Sequence, residues 1–172
     1  MITVLNTGLP GVLLIQPEIF DDFRGENTEL YNIQAYKEAG IIVDFVQESM
    51  SVSRKEVLRG IHGDSHTWKL ISCLYGSLYL AVVNCDGGSP HFGKWLSFTL
   101  SDKNRKQVLI PPFYGNAHLV LSDTAIFHYK LSSFFEPKGQ FTYKWNDPRF
   151  NIWWPIKNPI QSRRDEEGRY ID

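Results

Sequence analysis

Short apolar segments closed by turn residues recur along the whole chain, and this spacing limits the fold more than any other feature. The segments are rich in aromatic and β-branched residues, as strands are. The turn signals include Gly76-Ser77, Pro111-Pro112 and Ser122-Asp123. The pattern predicts an all-β sandwich or jelly roll with few helices. The candidate strands are Val12–Gln16, Asp44–Ser53, Val57–His62, Lys69–Tyr75, Leu78–Asn84, Trp95–Leu100, Gln107–Ile110, His118–Leu121 and Ala125–Leu131, and the best helix candidate is Asn32–Ala39.

The length of 172 residues predicts one domain over residues 1–172. Hydrophobic residues make up 42% of the chain, enough for a core, and the aromatic content of 14% favours strands and aromatic-lined pockets. From about residue 145 onward the repeated prolines indicate an ordered but irregular arm, 145–172. The charged segment Arg163–Glu167 is expected to be a solvated surface of that arm.

Charge and cysteine content limit the expected partners and the expected cellular compartment. A net charge of -1 shows no bias toward nucleic acid or anionic membranes, so neither is predicted as a partner. Cys73 and Cys85 form neither a CxxC pair nor a disulfide framework, which favours a reducing compartment, and we expect a cytoplasmic protein. No apolar stretch approaches the roughly 18 residues that a membrane span needs.

The segment Arg59-Gly60-Ile61-His62, followed by Lys69 at the head of a long apolar run, carries the strongest chemical signal. It places a residue that can bind an anion (Arg59), one that can accept a proton (His62) and one that can act as an electrophile (Lys69) beside one hydrophobic pocket. These types suit proton chemistry on an anionic substrate. The alternative is that they merely flank a buried strand.

Strand alternation places two further residues. In Ala125–Leu131, Phe127, Tyr129 and Leu131 share one face, so Tyr129 is expected to point inward. His118 follows a predicted Gly115-Asn116 turn and is expected at the start of a strand, near the same end of the sheet as Tyr129. Each residue alone also fits a purely structural role.

Three histidines, His62, His66 and His118, raise a metal site of the cupin type as an alternative. Such a site needs a His-x-His pair followed by a carboxylate, whereas this chain has His62-x-x-x-His66 and then Lys69. An ammonium group repels a divalent cation, so no metal is predicted.

Nine motifs follow one another along nearly the whole chain. They are Phe20-Asp21-Asp22-Phe23-Arg24-Gly25, Val46-Gln47-Glu48-Ser49-x-Ser51, Leu58-Arg59-Gly60-Ile61-His62, Ser89-Pro90-x-Phe92-Gly93-Lys94-Trp95, Ile110-Pro111-Pro112, His118, Tyr129-Lys130, Trp145-Asn146-Asp147-Pro148 and Ile152-x-Trp154-Pro155. In this order they resemble the motifs of the dTDP-4-dehydrorhamnose 3,5-epimerase family.

This resemblance implies a cupin-like double-stranded β-helix, or jelly roll, that forms a homodimer and epimerises nucleotide-diphospho-4-keto-6-deoxy sugars without a metal or organic cofactor. It implies that His62 is the base, Tyr129 the acid on the opposite face, Lys69 the cation near the keto oxygen and Asp165 the carboxylate paired with the base. Arg24 and Arg59 are implied to bind the diphosphate. Further substrate-binding residues implied by the matching motifs are Phe20, Gln47, Glu48, Asn116 and His118.

Departures from the family pattern bear on the substrate. Gly63-Asp64 stands where the family usually has Tyr-Gln, Asn27 replaces an aromatic residue, and Phe135 replaces a tyrosine. Together with Gln140–Tyr143, these features resemble the branch acting on GDP-4-keto-6-deoxy-heptoses for bacterial capsules. We therefore predict a GDP-linked heptose substrate, with dTDP-4-dehydrorhamnose epimerisation as the first alternative. A non-catalytic sugar-nucleotide binding jelly roll and a 3,4-ketoisomerase are also compatible with the motifs.

Overall fold

The structure is a computed structural model and describes residues 1–171. Antiparallel strands dominate it, and two short helices and a single 3₁₀ turn at Pro137–Gly139 complete the secondary structure of these residues. The helices are α1 (Ile33–Glu38) and α2 (Arg163–Glu166). The strands are β1 (Ile2–Asn6), β2 (Leu13–Pro17), β3 (Phe20–Asp22), β4 (Gly25–Asn27), β5 (Gln47–Arg54), β6 (Leu58–Gly63), β7 (Lys69–Tyr75), β8 (Ser77–Asn84), β9 (Trp95–Ser101), β10 (Gln107–Ile110), β11 (Tyr114–Val120), β12 (Thr124–Leu131) and β13 (Phe141–Thr142).

Two facing antiparallel sheets form the body of the fold. One has the strand order β1-β2-β10-β7-β12-β5 and the other the order β13-β6-β11-β8-β9, while β3 and β4 form a separate hairpin. Consecutive strands such as β7 and β8 lie in different sheets, as in a jelly roll. The predicted all-β, cupin-like jelly roll is confirmed.

The main core lies between the two sheets because each contributes alternate apolar residues to the space between them. Ile71 and Val108 come from one sheet, and Leu80 and Leu100 from the other; each is at 0% exposure. The inward face of β12 adds Phe127, as the alternation predicts. A second apolar layer covers the outer face of each sheet.

On the outer face of the first sheet, Tyr36 of α1 packs with Ile15 and Leu70. The side chain of Asn32 caps α1 by accepting from the backbone N–H of Gln34 and Ala35, which explains why the predicted helix forms there. On the outer face of the other sheet, the irregular segment after residue 145 packs Phe150, Trp154 and other aromatic residues. That residues 1–172 form one domain stays a prediction.

The structure differs from the predicted strands mainly where local patterns are weak. β1, β3, β4 and β13 are short, and no strand was predicted there. β11 begins at Tyr114 rather than His118, because Gly115-Asn116 is not a turn but pairs with β8 inside the sheet. The described residues contain no helix long and apolar enough to cross a membrane.

Candidate active site

A cavity of about 320 Å³ opens between the two sheets. One wall comes from β6 and β11 and the other from β5, β7 and β12, with the segments around Gln140 and Asp165 at its edge. The lining residues are Ser51, Arg59, His62, Asp64, Thr67, Lys69, Ile71, Asn116, His118, Phe127, Tyr129, Leu131, Phe135, Gln140, Ser162, Arg164 and Asp165.

A β-bulge brings Arg59 and His62 to the same wall. Residues three apart on a regular strand face opposite sides. Here Arg59 pairs with His118 and His62 with Asn116, so three steps on β6 match two on β11. The extra residue reverses the alternation. Gly60 permits this, because it has φ +122° and a Cβ there would lie 2.5 Å from the carbonyl oxygen of Asn116.

His62, itself partly exposed, pairs with the buried Asp165. The His62 Nε2 atom lies 2.5 Å from Asp165 Oδ1, and the aspartate side chain is only 2% exposed. Ser162 donates its hydroxyl to Asp165 Oδ2 at 3.0 Å. Burial disfavours the aspartate charge, but hydrogen bonds from His62 and Ser162 outweigh it and hold the pKa of Asp165 below its usual value. The expectation that Arg163–Glu167 is only a solvated surface is wrong for Asp165, because α2 turns it inward against β6.

Lys69 places a buried cation on the facing sheet. Its Nζ donates to the carbonyl oxygen of His62 and to Asn116 Oδ1, both at 3.2 Å. Burial lowers the pKa of Lys69 to about 8, and the charge of Asp64 opposes that shift. The ammonium group is held by neutral oxygens, so its charge is available to an anion in the cavity.

Tyr129 lines the cavity from β12, the strand between β7 and β5. Its ring packs against Phe127, with the centroids 5.4 Å apart. His62 and Tyr129 therefore belong to opposing sheets. A ligand between the sheets has the imidazole on one side and the phenol on the other.

His118 is a neutral, buried wall of the cavity. It is 3% exposed and stacks on Phe127 at a centroid distance of 3.9 Å. Burial lowers the pKa of His118 to about 3, helped by the positive charges of Arg59 and His62. Its Nε2 has no hydrogen-bond partner among residues 1–171. Since a buried polar nitrogen without a partner is costly, this atom is suited to a substrate contact.

Four of the predicted substrate-binding residues lie outside this cavity. Arg24 pairs with Asp22 and its side chain is 77% exposed, while Phe20 in the same hairpin is 56% exposed. Glu48 faces outward on β5 and pairs with Lys130 and His128. Gln47 uses its Oε1 to accept from the backbone N–H of Phe135 at 2.9 Å, so it supports the cavity edge rather than lining it.

Several lining residues were not predicted as site residues. Asp64 was noticed only as a departure from the family pattern and Gln140 only in the resemblance to one branch. Arg164 was expected to lie on a solvated surface, and Thr67 and Ser162 were not singled out. Asp64 follows His62 by two residues and accepts from Gln140, which connects the β6 end to the segment before β13. The pairing of Phe141 with Gly63 and of Thr142 with His62 brings that segment to the site.

The described residues, 1–171, contain no group of three or more His, Cys, Asp or Glu side chains that could hold a metal ion. Of the histidines considered for such a site, His62 faces Asp165, and His66 is half exposed beside Asp64. The prediction of a metal-free site stays a prediction.

Comparison with known proteins gives a consistent result. The model of the dTDP-4-dehydrorhamnose 3,5-epimerase family matches residues 6–172. The dTDP-4-dehydrorhamnose 3,5-epimerase of Shigella flexneri is 37% identical over 174 residues, covering 98% of this chain and 96% of the relative. The enzyme of the same name from Pseudomonas aeruginosa is 38% identical, covering 94% and 91%.

Solved structures agree with this. A dTDP-6-deoxy-D-glucose-3,5-epimerase from Legionella pneumophila, in complex with dTDP-4-keto-L-rhamnose, superposes with a TM-score of 0.94 at 34% identity, covering 99% of this chain and 93% of the other. A 3'-monoepimerase from Streptomyces bikiniensis, in complex with dTDP-quinovose, gives a TM-score of 0.90 at 29% identity, covering 95% and 85%.

The jelly roll and these relatives define an isomerase-class enzyme, a sugar-nucleotide epimerase. The chain belongs to the dTDP-4-dehydrorhamnose 3,5-epimerase family.

Proposed function

We propose that this protein epimerises a dTDP-linked 4-keto-6-deoxy sugar at C3, C5 or both, through an enolate. The observation that carries the proposal is the pair of His62 on one sheet with Asp165 of α2, across a cavity from Tyr129 on the other sheet. The names of the relatives favour dTDP over the GDP-linked heptose that the sequence motifs predicted. We therefore prefer the dTDP-linked substrate, which was the first alternative, to the GDP-linked heptose that was predicted.

His62 is the base of the reaction. A hydrogen next to the C4 ketone is acidic because the carbanion delocalises onto the keto oxygen as an enolate. The electron pair of the broken C–H bond forms the enolate C=C bond, and the proton moves to the imidazole. Asp165 orients the ring and stabilises the imidazolium that results, as an aspartate beside a catalytic histidine generally does.

Lys69 stabilises the enolate oxygen. A preorganised cation aimed at developing charge is most effective in a site that excludes water, and Lys69 is 8% exposed. Asn116 holds the ammonium group by accepting one of its hydrogens, so the donor needs little reorganisation during the reaction.

Tyr129 is the acid. Inversion requires that a proton returns to carbon on the face opposite to the one from which it left. The tyrosine occupies the sheet facing His62 and can deliver its phenolic proton there. Before the next turnover the imidazolium of His62 releases its proton to solvent, and the phenolate of Tyr129 takes one up.

Arg59 binds the diphosphate from the His62 wall. Its Nε donates to Ser53 Oγ at 3.1 Å, which leaves the terminal guanidinium nitrogens free to bind phosphate oxygens. Phe135, 48% exposed at the cavity edge, offers a ring face to a nucleobase.

A homodimer would bring Arg24 and Phe20 to a site. β5 is an edge strand; Met50 and Val52 on it and Val46 just before it are more than half exposed, and Phe23 in the β3–β4 hairpin is 98% exposed. Exposed apolar residues on a strand edge and a hairpin favour association. In this arrangement the hairpin of one protomer supplies Arg24 to the diphosphate in its partner.

Mixing two inactive variants tests that arrangement. In this arrangement each site takes His62 from one protomer and Arg24 from the other. A mixed dimer of His62→Asn and Arg24→Ala therefore has one intact site and one site that lacks both residues. After subunit exchange, random pairing makes half of the dimers mixed, and activity should return to about a quarter of the wild-type value. Failure to complement in verified mixed dimers would place Arg24 in its own protomer's site, and full activity of Arg24→Ala alone would place it in neither.

A GDP-linked 4-keto-6-deoxy-heptose is the second candidate. It is favoured by Gly63-Asp64, which stands where the family usually has Tyr-Gln and places Asp64 in the cavity lining, and by Asn27 and Phe135. Calorimetric titration with dTDP and GDP decides between the two. A tenfold preference, about 1.4 kcal/mol, is sufficient to assign the nucleotide.

The reaction itself is tested by incubation with each 4-keto-6-deoxy sugar nucleotide in deuterated water. Deuterium at C3 or C5 with inverted configuration supports epimerisation and identifies the carbons involved. A ketone moved to C3 would instead indicate a 3,4-ketoisomerase.

A further inference from the structure

Asp64 is a buried carboxylate in the cavity that the reaction above does not use. It is 3% exposed, and its Oδ1 accepts from the backbone N–H of His66 at 3.0 Å and of Thr67 at 2.7 Å. Its Oδ2 accepts from the side-chain Nε2 of Gln140 at 2.7 Å. Burial disfavours the charge, but these donors outweigh it and hold the pKa of Asp64 below its usual value. The group is therefore an anion at neutral pH.

The contact with Gln140 depends on Gly63. Phe141 pairs with Gly63 across β13 and β6, and a Cβ on Gly63 would lie 2.3 Å from the Phe141 ring. A side chain at position 63 would push Phe141 away and take Gln140 with it. Gly63 and Asp64 thus act together, one making room for the segment and the other binding it.

An ionised carboxylate can only accept hydrogen bonds, so it fixes the orientation of the Gln140 amide. The NH₂ group must face Asp64, and the carbonyl oxygen Oε1 must point elsewhere. No hydrogen bond to Oε1 forms within residues 1–171, and Gln140 lines the same cavity as Lys69 and Tyr129. Gln140 therefore carries a carbonyl oxygen without a hydrogen-bond partner among the described residues, and its side chain belongs to the cavity lining.

We propose that Asp64 is a positioning residue that fixes Gln140 with its carbonyl oxygen toward the cavity, so that the enzyme selects a sugar hydroxyl at that point. This inference rests on the proposed function, because it takes a sugar nucleotide as the ligand. The inference gives the Gly63-Asp64 and Gln140-Phe141 pairs a role in distinguishing one sugar from another. A substrate with a donor at that position binds, and one with only an acceptor there is disfavoured.

The test is the variant Asp64→Asn. The introduced asparagine still offers an oxygen to the backbone donors of His66 and Thr67, but it presents an NH₂ group to Gln140. The Gln140 amide then turns over and shows its own NH₂ to the cavity. The matched control is Asp147→Asn, because Asp147 is equally buried and also accepts from backbone N–H groups, those of Arg149 and Ile171, outside the cavity.

The measurement is calorimetric binding of dTDP, of dTDP-glucose and of its 2- and 3-deoxyfluoro derivatives, in which fluorine cannot donate. Wild type should bind one fluoro derivative about tenfold more weakly than dTDP-glucose, the effect of one hydrogen bond. In Asp64→Asn that ratio should fall to near one, as it should in Gln140→Met, while dTDP alone binds as in wild type. Asp147→Asn should keep the wild-type ratio. This control shows that a loss of stability by itself does not change the ratio between the two ligands.

An unchanged ratio in Asp64→Asn would overturn the inference, and so would an equal loss of binding for dTDP alone, which would place the contact at the nucleotide. If wild type binds none of these ligands and gives no exchange with a dTDP- or GDP-linked 4-keto sugar, the proposed function fails instead. The two failures are therefore distinguishable.

Discussion

The Nε2 atom of His62 lies 2.5 Å from Oδ1 of Asp165, although the two residues are 103 positions apart in the chain. β6 carries the histidine, and the short helix α2 carries the aspartate. The backbone of Leu58 also donates to the carbonyl oxygen of Ile160 at 2.9 Å, which anchors the C-terminal segment along β6 just before α2. The acid–base site therefore depends on how the end of the chain packs on the second sheet.

We expect His62→Asn to abolish exchange of substrate C–H hydrogens with solvent while leaving dTDP affinity within a few-fold. Asn keeps a polar side chain near Asp165 but cannot accept a proton from carbon. Deuterium incorporation measured by NMR, together with calorimetric titration, checks both parts. Persistent exchange in this variant would move the base to another residue.

Tyr129→Phe should separate proton removal from inversion. The phenol is not needed to form the enolate, so deuterium should still enter, while inversion falls by about 10² to 10⁴, the usual contribution of a positioned proton donor. Phe preserves the ring packing against Phe127, so the fold should be kept. Inversion at the wild-type rate would show that another residue or a water supplies the proton.

Asp165→Asn should reduce kcat by about 100-fold or more, because His62 loses the carboxylate that orients it and stabilises its charged form. Ser162→Ala is the matched control, since it removes the hydroxyl bond to Asp165 and the cap of α2 but leaves the carboxylate. It should cost about 1 kcal/mol of stability and less than tenfold in kcat. Stopped assays and urea unfolding measure the two, and equal kcat losses would contradict the assignment.

The pH dependence of kcat/KM should show an alkaline limb near pH 8. Burial lowers the pKa of Lys69 to about 8, so its ammonium group is present below that pH and is lost as the pH rises through it. Stabilisation of the enolate oxygen is lost with it. Lys69→Met should have a much lower rate throughout and lack this limb. A wild-type profile that stays flat to about pH 9.5, well above that pKa, would show that the charge of Lys69 is not required.

Activity should survive exhaustive treatment with EDTA, because Lys69 stands where a cupin metal site would have a carboxylate. The measurement compares rates before and after chelation and dialysis. Inactivation that Fe²⁺ or Zn²⁺ reverses would revive the metal alternative.

The sequence by itself determined the fold class and much of the cavity wall. Period-two alternation in β12 placed Tyr129 inward, because adjacent side chains of a strand must face opposite ways. The sequence also shows Arg59, His62 and Lys69 close together. Proton removal next to a ketone in an anionic substrate needs both a base and cations, so these three could be recognised as one group. These features depend on local pattern and residue type, which are visible in the chain.

Only the tertiary structure decided the rest. The bulge at Gly60 places Arg59 and His62 on one wall against simple alternation, and only the packing of β6 on β11 reveals it. Only the family resemblance implied that Asp165 pairs with His62, because its charged segment by itself was expected to be a solvated surface, and Gln140 reaches Asp64 because β13 pairs with β6. Such contacts join residues far apart in sequence, so no local pattern specifies them. They follow from which surfaces the two sheets leave for the C-terminal segments to cover.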